Sequence, residues 1–321
     1  MDISLILAIV AARTLFQVLN ETAAEFGSAV ALFQPKPKAK DSDKYITYTW
    51  NDWRTRVMEI AVGLSRLGIQ KGDIVCLQSE TRAEFYIADL AVMALGAIAA
   101  GLYTSYPAKD QIKNLRNTGA KWIIVEDLKM MAALANALKD DPVDIQFILM
   151  DGSVEGARSL DDIRADGRKA LNEDPEAFSK LAIKVTPDDY AILYLTSGAT
   201  GEPKMGLVTH GQVSLNLDMG PKVLPLGPTD KALAFLPSAH IAQRVVMELM
   251  TMRMAVPVYF SESLARLPNE LKSIRPTFLL APPRVWERIY ASIRTEVNKK
   301  PPMVQKLFHG ALGLGLEAVK Y

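Results

Sequence analysis

The sequence predicts an α/β protein built as two βα-alternating subdomains. Segments of helical period alternate with segments of strand length, and strand-length runs such as Ile74–Leu77 and Trp122–Val125 are wholly apolar. A composition of 49% hydrophobic and 23% charged residues over 321 positions is that of a globular chain long enough for about two cores.

Ile3 to Ala12 is apolar apart from Ser4, too short to span a bilayer, and flanked by Asp2 before and Arg13 after, the reverse of a secretory signal. A buried first turn or a frayed end is its default reading, with a peripheral membrane contact left open. Pro35-Lys36-Pro37-Lys38 reads as a solvated loop between the first helix and the first hairpin. Trp53, Val57, Ile60, Ala61, Leu64 and Leu67 recur at helical spacing, with Thr49 and Asp52 as a capping box and Gly68 as the stop. Then follow strand 74–77, helix 82–95, strand 97–103, helix 108–117, strand 122–125, helix 128–138 and strand 145–150. Residues 151–182 are charged and poor in long apolar runs, and read as a surface excursion. Strands resume at 190–195, 205–209, 232–236, 256–260 and 277–280, between helices at 211–219, 241–253, 264–274 and 283–298. A boundary near Pro187 divides an N-terminal subdomain, 1–186, from a second, 187–321.

Charge and cysteine content narrow the function. Lys and Arg number 37 against 36 Asp and Glu, a net +1, so there is no general field for nucleic acid. The single cysteine, Cys76, lies in an apolar strand and reads as buried, and three histidines make a His/Cys zinc cluster a poor fit. A reduced, cytoplasmic protein is the simplest setting.

The most informative segment is Leu195-Thr196-Ser197-Gly198-Ala199-Thr200-Gly201-Glu202-Pro203-Lys204, between two apolar strands. Glycines let backbone N–H groups approach a phosphate, hydroxyls add donors, and a lysine offsets charge. A polar hairpin turn is the bland alternative. The spacing Gly198-x-x-Gly201-x-x-Lys204, followed by a strand, is not that of a Walker A loop. His240 follows Pro237-Ser238-Ala239, where an exposed residue at a helix start is as good a reading as a ligand. Arg244, a turn further on, reads as a solvated arginine, and Trp286 as a packing anchor beside Arg284.

The 195–204 segment resembles the phosphate-binding signature of AMP-forming adenylating enzymes, Y-T-S-G-T-T-G-x-P-K-G, and Thr209-His210 continues it. Residues 235–244 (FLPSAHIAQR) and 275–288 (RPTFLLAPPRVWER) resemble the F-L-P-x-x-H-x-x-E-R and P-T-x-x-x-x-P-R-V-W-E segments of the long-chain fatty acyl-CoA synthetase branch. The resemblance runs from about Thr14 over nearly the whole chain. It implies two subdomains of the large N-terminal domain of acyl-adenylating enzymes, truncated, and an ATP-dependent ligase that forms an acyl-adenylate and then acyl-CoA. It further implies ATP, Mg2+ and coenzyme A as cofactors, a fatty acid as substrate, and phosphate contacts from Thr196, Ser197, Gly198, Ala199, Thr200, Gly201 and Lys204. His240 would sit near the reacting carboxylate. Met247, Met250, Met252 and Met254 fit core packing, with an adaptable acyl tunnel as the alternative.

Four positions depart from the family pattern: Leu195 for Tyr, Ala199 for a hydroxyl residue, Met205 for Gly and Gln243 for Glu. No Y-G-x-T-E, T-G-D or C-terminal lysine domain is found in these residues, so a C-terminal half is expected elsewhere and activity of this chain alone is not. The alternative is a non-catalytic nucleotide- or acyl-binding module of the same fold.

Overall fold

The computed structural model describes residues 12–36, 44–196 and 204–319. They fall into two compact units, one ending at Leu279 and one beginning at Leu280.

In the first unit, α1 (Leu15–Phe26) leads to a hairpin of β1 (Val30–Pro35) and β2 (Tyr45–Thr49). Lys36 N–H donates to Lys44 O, so the Pro-Lys run begins the hairpin's own turn rather than the connection before it. Its Pro37 and Lys38, like residues 3–11, lie outside the described residues. There follow α2 (Trp50–Arg66), β3 (Ile74–Gln78), α3 (Ala83–Ala94), β4 (Ile98–Gly101), α4 (Ala108–Thr118), β5 (Trp122–Val125), α5 (Leu128–Asp140) and β6 (Gln146–Leu149). Next come β7 (Arg158–Ser159), α6 (Leu160–Glu173), α7 (Ala177–Ala182), β8 (Tyr190–Thr196), β9 (Lys204–Thr209) and α8 (His210–Val223). The unit closes with β10 (Ala232–Ala234), a π-helical segment (Gln243–Met250) running into a helical turn (Thr251–Arg253), β11 (Val258–Phe260) and α9 (Leu267–Ile274).

A seven-stranded sheet has the order β7-β6-β5-β3-β4-β8-β9, parallel throughout except for the β8–β9 hairpin. A four-stranded sheet has the order β10-β11-β1-β2. Both sheets draw strands from either side of Pro187. Helix α3 is apolar on nearly every side, as a helix buried all round must be, and packs on β1, β3 and β4. A ladder of rings, Trp50, Trp53, Tyr86 and Phe260, spaced 5.6, 6.2 and 4.9 Å, ties α2 through α3 to β11. Cys76 is buried in β3 beside Thr118, and burial pushes its thiol up to about 12, which leaves it unreactive.

Two expected segments differ. Residues 151–182 are no surface excursion: α6 lies on α2 with Leu160, Ile163, Gly167 and Ala170 buried. The contact is backbone on backbone, since a Cβ on Gly167 would stand 1.7 Å from Glu59 O and one on Gly63 2.1 Å from Ile163 O. The apolar run 277–280 forms no strand; one parallel bridge, Phe278 to Ala232, is all the pairing it has among the described residues.

The second unit consists of α10 (Pro283–Asn298) and α11 (Pro302–Ala318), neither with a buried residue. Trp286, far from anchoring a core, is about half exposed and donates through Nε1 to Ala281 O. Among the described residues no helix is long and apolar enough to cross a membrane.

Gly167→Val should lower the stability of the first unit by at least about 1–3 kcal/mol, because the two helix backbones must part to admit the side chain. Denaturant unfolding measures it; an unchanged midpoint would show that the α2–α6 contact is not needed.

Candidate functional site

The lysine of the glycine-rich segment opens β9, and its first hydroxyl closes β8. The strands pair in the register Thr196↔Lys204, Leu195↔Met205 and Tyr194↔Gly206. Thr196 Oγ1 donates to Lys204 O at 3.3 Å, so both ends of the loop are held together while Ser197, Gly198, Ala199, Thr200 and Gly201 lie outside the described residues. The Lys204 side chain is exposed and forms no ion pair among the described residues.

The register also accounts for two departures from the family pattern. A Cβ on Gly206 would lie 2.3 Å from the Tyr194 ring, so the tyrosine lies across the glycine as a cross-strand pair one step further from the loop than the family's Tyr and Gly would be. Because strand side chains alternate, that step places the pair on the opposite face.

His240 is reached from the other side. Thr81, just beyond β3, donates its hydroxyl to Leu236 O and stands 2.9 Å from Ser238 Oγ. Gly101, at the end of β4, is pressed on the next residue: a Cβ there would be 2.8 Å from Ala239 Cα. Thr81 and Gly101 thus fix the 236–240 turn at the carboxyl ends of β3 and β4. Since β4 and β8 are parallel with Ala100 opposite Leu193, Thr196 leaves the sheet at this same edge, where open α/β sheets bind ligands. The imidazole of His240 is exposed, and Nδ1 accepts from Ala242 N–H at 3.1 Å.

Arg244 is not the solvated residue that its sequence pattern suggests. It is fully buried, with Nε 3.1 Å from Asp89 Oδ2, Nη2 2.5 Å from Asp89 Oδ1 and Nη1 donating to Ala99 O at 3.2 Å. It therefore cannot meet a substrate anion; it ties the π-helical segment to α3 and β4. Glu248 is buried beside the pair, and neither of its oxygens meets an N–H or hydroxyl donor among the described residues. Burial, with the charge of Asp89, holds its carboxyl well above the usual range. Gln243 is buried too, donating to Tyr86 Oη at 3.1 Å, and Met247, Met250, Met252 and Met254 pack in the core.

His210 is also structural. Thr209 caps α8 with Gln212, and the buried His210 ring accepts Leu15 N–H on Nδ1 at 3.1 Å. Burial pulls its pKa from 6.5 down to about 4, so the ring is neutral at pH 7.

Residues 19–319 match the family model described as AMP-binding enzyme. The chain belongs to the AMP-binding enzyme family. Over 313 residues it is 24% identical to the long-chain-fatty-acid–CoA ligase ACSBG2 of Xenopus laevis, covering 95% of this chain and 42% of that protein. Fatty acyl-CoA synthetase A of Dictyostelium discoideum is 26% identical over 299 residues, covering 85% and 42%. Among solved structures, a long-chain-fatty-acid-CoA ligase (FadD1) from Archaeoglobus fulgidus superposes with a TM-score of 0.71 at 18% identity, over 84% of this chain and 51% of that one. The chain thus spans less than half the length of the curated relatives it matches, and its α/β fold is that of the AMP-binding enzymes.

Removing one partner of the buried pair leaves a charge stranded in this AMP-binding fold, so Asp89→Ala should cost about 3–5 kcal/mol. The double variant Asp89→Leu with Arg244→Met should recover most of that in denaturant unfolding. His210 generates a pH dependence of its own. Its folded pKa lies below the unfolded one, so its stabilising contribution is full above pH 6.5 and falls as pH drops toward 4, by up to about 3 kcal/mol. His210→Asn, which keeps an acceptor for Leu15 N–H, should flatten that part of the stability profile.

Proposed function

We propose that this chain supplies the N-terminal, phosphate-contacting portion of an AMP-forming long-chain fatty acid–CoA ligase. The observation that carries the reading is that the Thr196–Lys204 closure and the His240 turn meet one carboxyl edge of the parallel sheet. The substrate class comes from the names of the relatives, long-chain-fatty-acid–CoA ligase and fatty acyl-CoA synthetase. In this reading a fatty acid carboxylate attacks the α-phosphorus of ATP, pyrophosphate leaves, and the thiol of coenzyme A then displaces AMP from the acyl-adenylate.

Such chemistry needs no protein nucleophile; it needs two anions held together and the departing charge met by donors already in place. Lys204 supplies the ammonium, the hydroxyls of Thr196, Ser197 and Thr200 supply hydrogen bonds, and the backbone N–H groups of Gly198, Ala199 and Gly201 complete the cradle. His240 orients the carboxylate near the α-phosphate. The Mg2+ that the resemblance implies would be held through one or two carboxylates together with the nucleotide's own phosphate oxygens and water. A reduced cytoplasmic setting, with a peripheral membrane contact left open, suits the single buried cysteine.

In a chain long enough to turn over, Lys204→Ala should reduce ATP–pyrophosphate exchange about tenfold or more, each tenfold being about 1.4 kcal/mol. An unchanged rate would end the phosphate role of the hairpin. The 321 residues alone should yield no thioester from ATP, palmitate and coenzyme A. ATP binding without turnover in the longest chain obtainable would favour the non-catalytic module instead.

A further inference from the structure

A separate cavity of about 470 Å³ lies between α2, α6 and the start of α3, and shares no lining residue with the hairpin or the His240 turn. Its floor is apolar, with Ile87 and Met150 buried, and three guanidinium groups, those of Arg56, Arg164 and Arg168, line its walls. Volumes of this order are those of small-molecule sites.

The charges around it are unequally answered. Arg82 takes up two of the carboxylates, its Nε 2.7 Å from Glu84 and its Nη1 2.5 Å from Asp151. Glu59 is shared between Arg168, at 2.7 Å, and Arg164, at 3.1 Å. Asp161 reaches Arg164 Nη1 at 3.3 Å, but its own side chain is 86% exposed. Arg56 has no carboxylate within ion-pair distance among the described residues; its guanidinium lies over the Tyr48 ring, 4.8 Å from the centroid. The Nε of Arg164 is buried and, although near Glu59, is not aligned with it, so that N–H has no hydrogen-bond partner. Burial and then the facing charge of Arg56 hold Arg164 below the usual arginine range. Two guanidinium forks therefore repel one another across a cavity with N–H donors to spare.

We propose that this cavity is a binding site for a phosphate-bearing small molecule, held by Arg56 and Arg164 at its phosphate and by the Ile87–Met150 floor and Tyr48 ring at its organic part. A phosphate has enough acceptor oxygens to meet both planar forks in bidentate fashion, whereas the two oxygens of a carboxylate fill one fork or are divided singly between two. The room above the apolar floor calls for an organic body as well as the anion. Such a ligand would offset the Arg56–Arg164 repulsion and join α2 to α6, the two helices that touch through Gly63 and Gly167. The inference is independent of the role assigned to Lys204.

Calorimetric titration of the 321-residue chain with phenyl phosphate, inorganic phosphate and benzoate tests it. Phenyl phosphate should bind saturably and more tightly than either of the others. Arg56→Ala and, separately, Ala165→Glu, which places a carboxylate at an exposed lining position, should each weaken binding about tenfold or more, while Lys204→Ala leaves it unchanged. Thermal unfolding of both cavity variants, with midpoints matching the parent, guards against reading misfolding as lost affinity. Absence of saturable binding, benzoate binding as well as phenyl phosphate, or binding lost in Lys204→Ala and kept in Arg56→Ala would each overturn the proposal.

Discussion

Arg244 and Asp89 are both fully buried, and much of the first unit is arranged around that pair. Neither charge could stand there alone: an unpaired ion in a dry interior costs more than a small domain has in reserve. The pair is tolerable because each fork nitrogen of Arg244 has an acceptor, two on Asp89 and one on Ala99 O, while burial raises the pKa of the neighbouring Glu248 carboxyl and so opposes a second negative charge beside Asp89. Satisfying all three acceptors at once fixes where the π-helical segment sits on α3 and β4. The 236–240 turn enters that segment, so the position of His240 follows from a charge it never touches.

The carboxyl edge of the large sheet is held in the same indirect fashion. Thr81 and Gly101 meet the 236–240 turn from the ends of β3 and β4, whereas the hairpin arrives from β8, the last strand to run parallel with them. Gln243 fits this setting better than the glutamate usual in the family. Buried between Tyr86 and the Asp89 cluster, a glutamate there would be a third carboxyl in one dry pocket; the amide instead donates to Tyr86 Oη.

Local signals in the sequence were legible wherever local physics decides. The Thr49–Asp52 capping box starts α2, the apolar run 122–125 is β5 residue for residue, and the spacing over 283–298 is α10. Thr196 and Lys204 stand at the two strand ends where a loop between apolar runs should place them. What could not be read depends on partners distant in sequence. Arg244 looks solvated because its counter-charge is 155 residues away, an aspartate in the middle of a mostly apolar helix. That aspartate was the one available clue, since a carboxylate in the middle of such a helix must be answered somewhere, whereas Glu84 sits in the first turn beside Arg82. Helix α6 escaped notice because its packing face is partly glycine and alanine, which register weakly as hydrophobic yet permit the closest contact in the unit. The 277–280 run misled in the opposite sense: it has the apolar character of a strand but only one bridging position to pair with.

The eight-residue π-helical segment has a bearing on how this region can change. A π turn contains one residue more than an α turn over the same hydrogen-bonded span, so such a segment behaves as an insertion absorbed without a loop. Losing one residue between Gln243 and Met250 lets an ordinary α-helix form while the residues on either side keep their faces, because the π turn already holds one residue as surplus. Arg244 can then still meet Asp89 and the buried methionines still face the core. The segment can thus shorten by one residue without a change of register, which a helix of ordinary pitch cannot do.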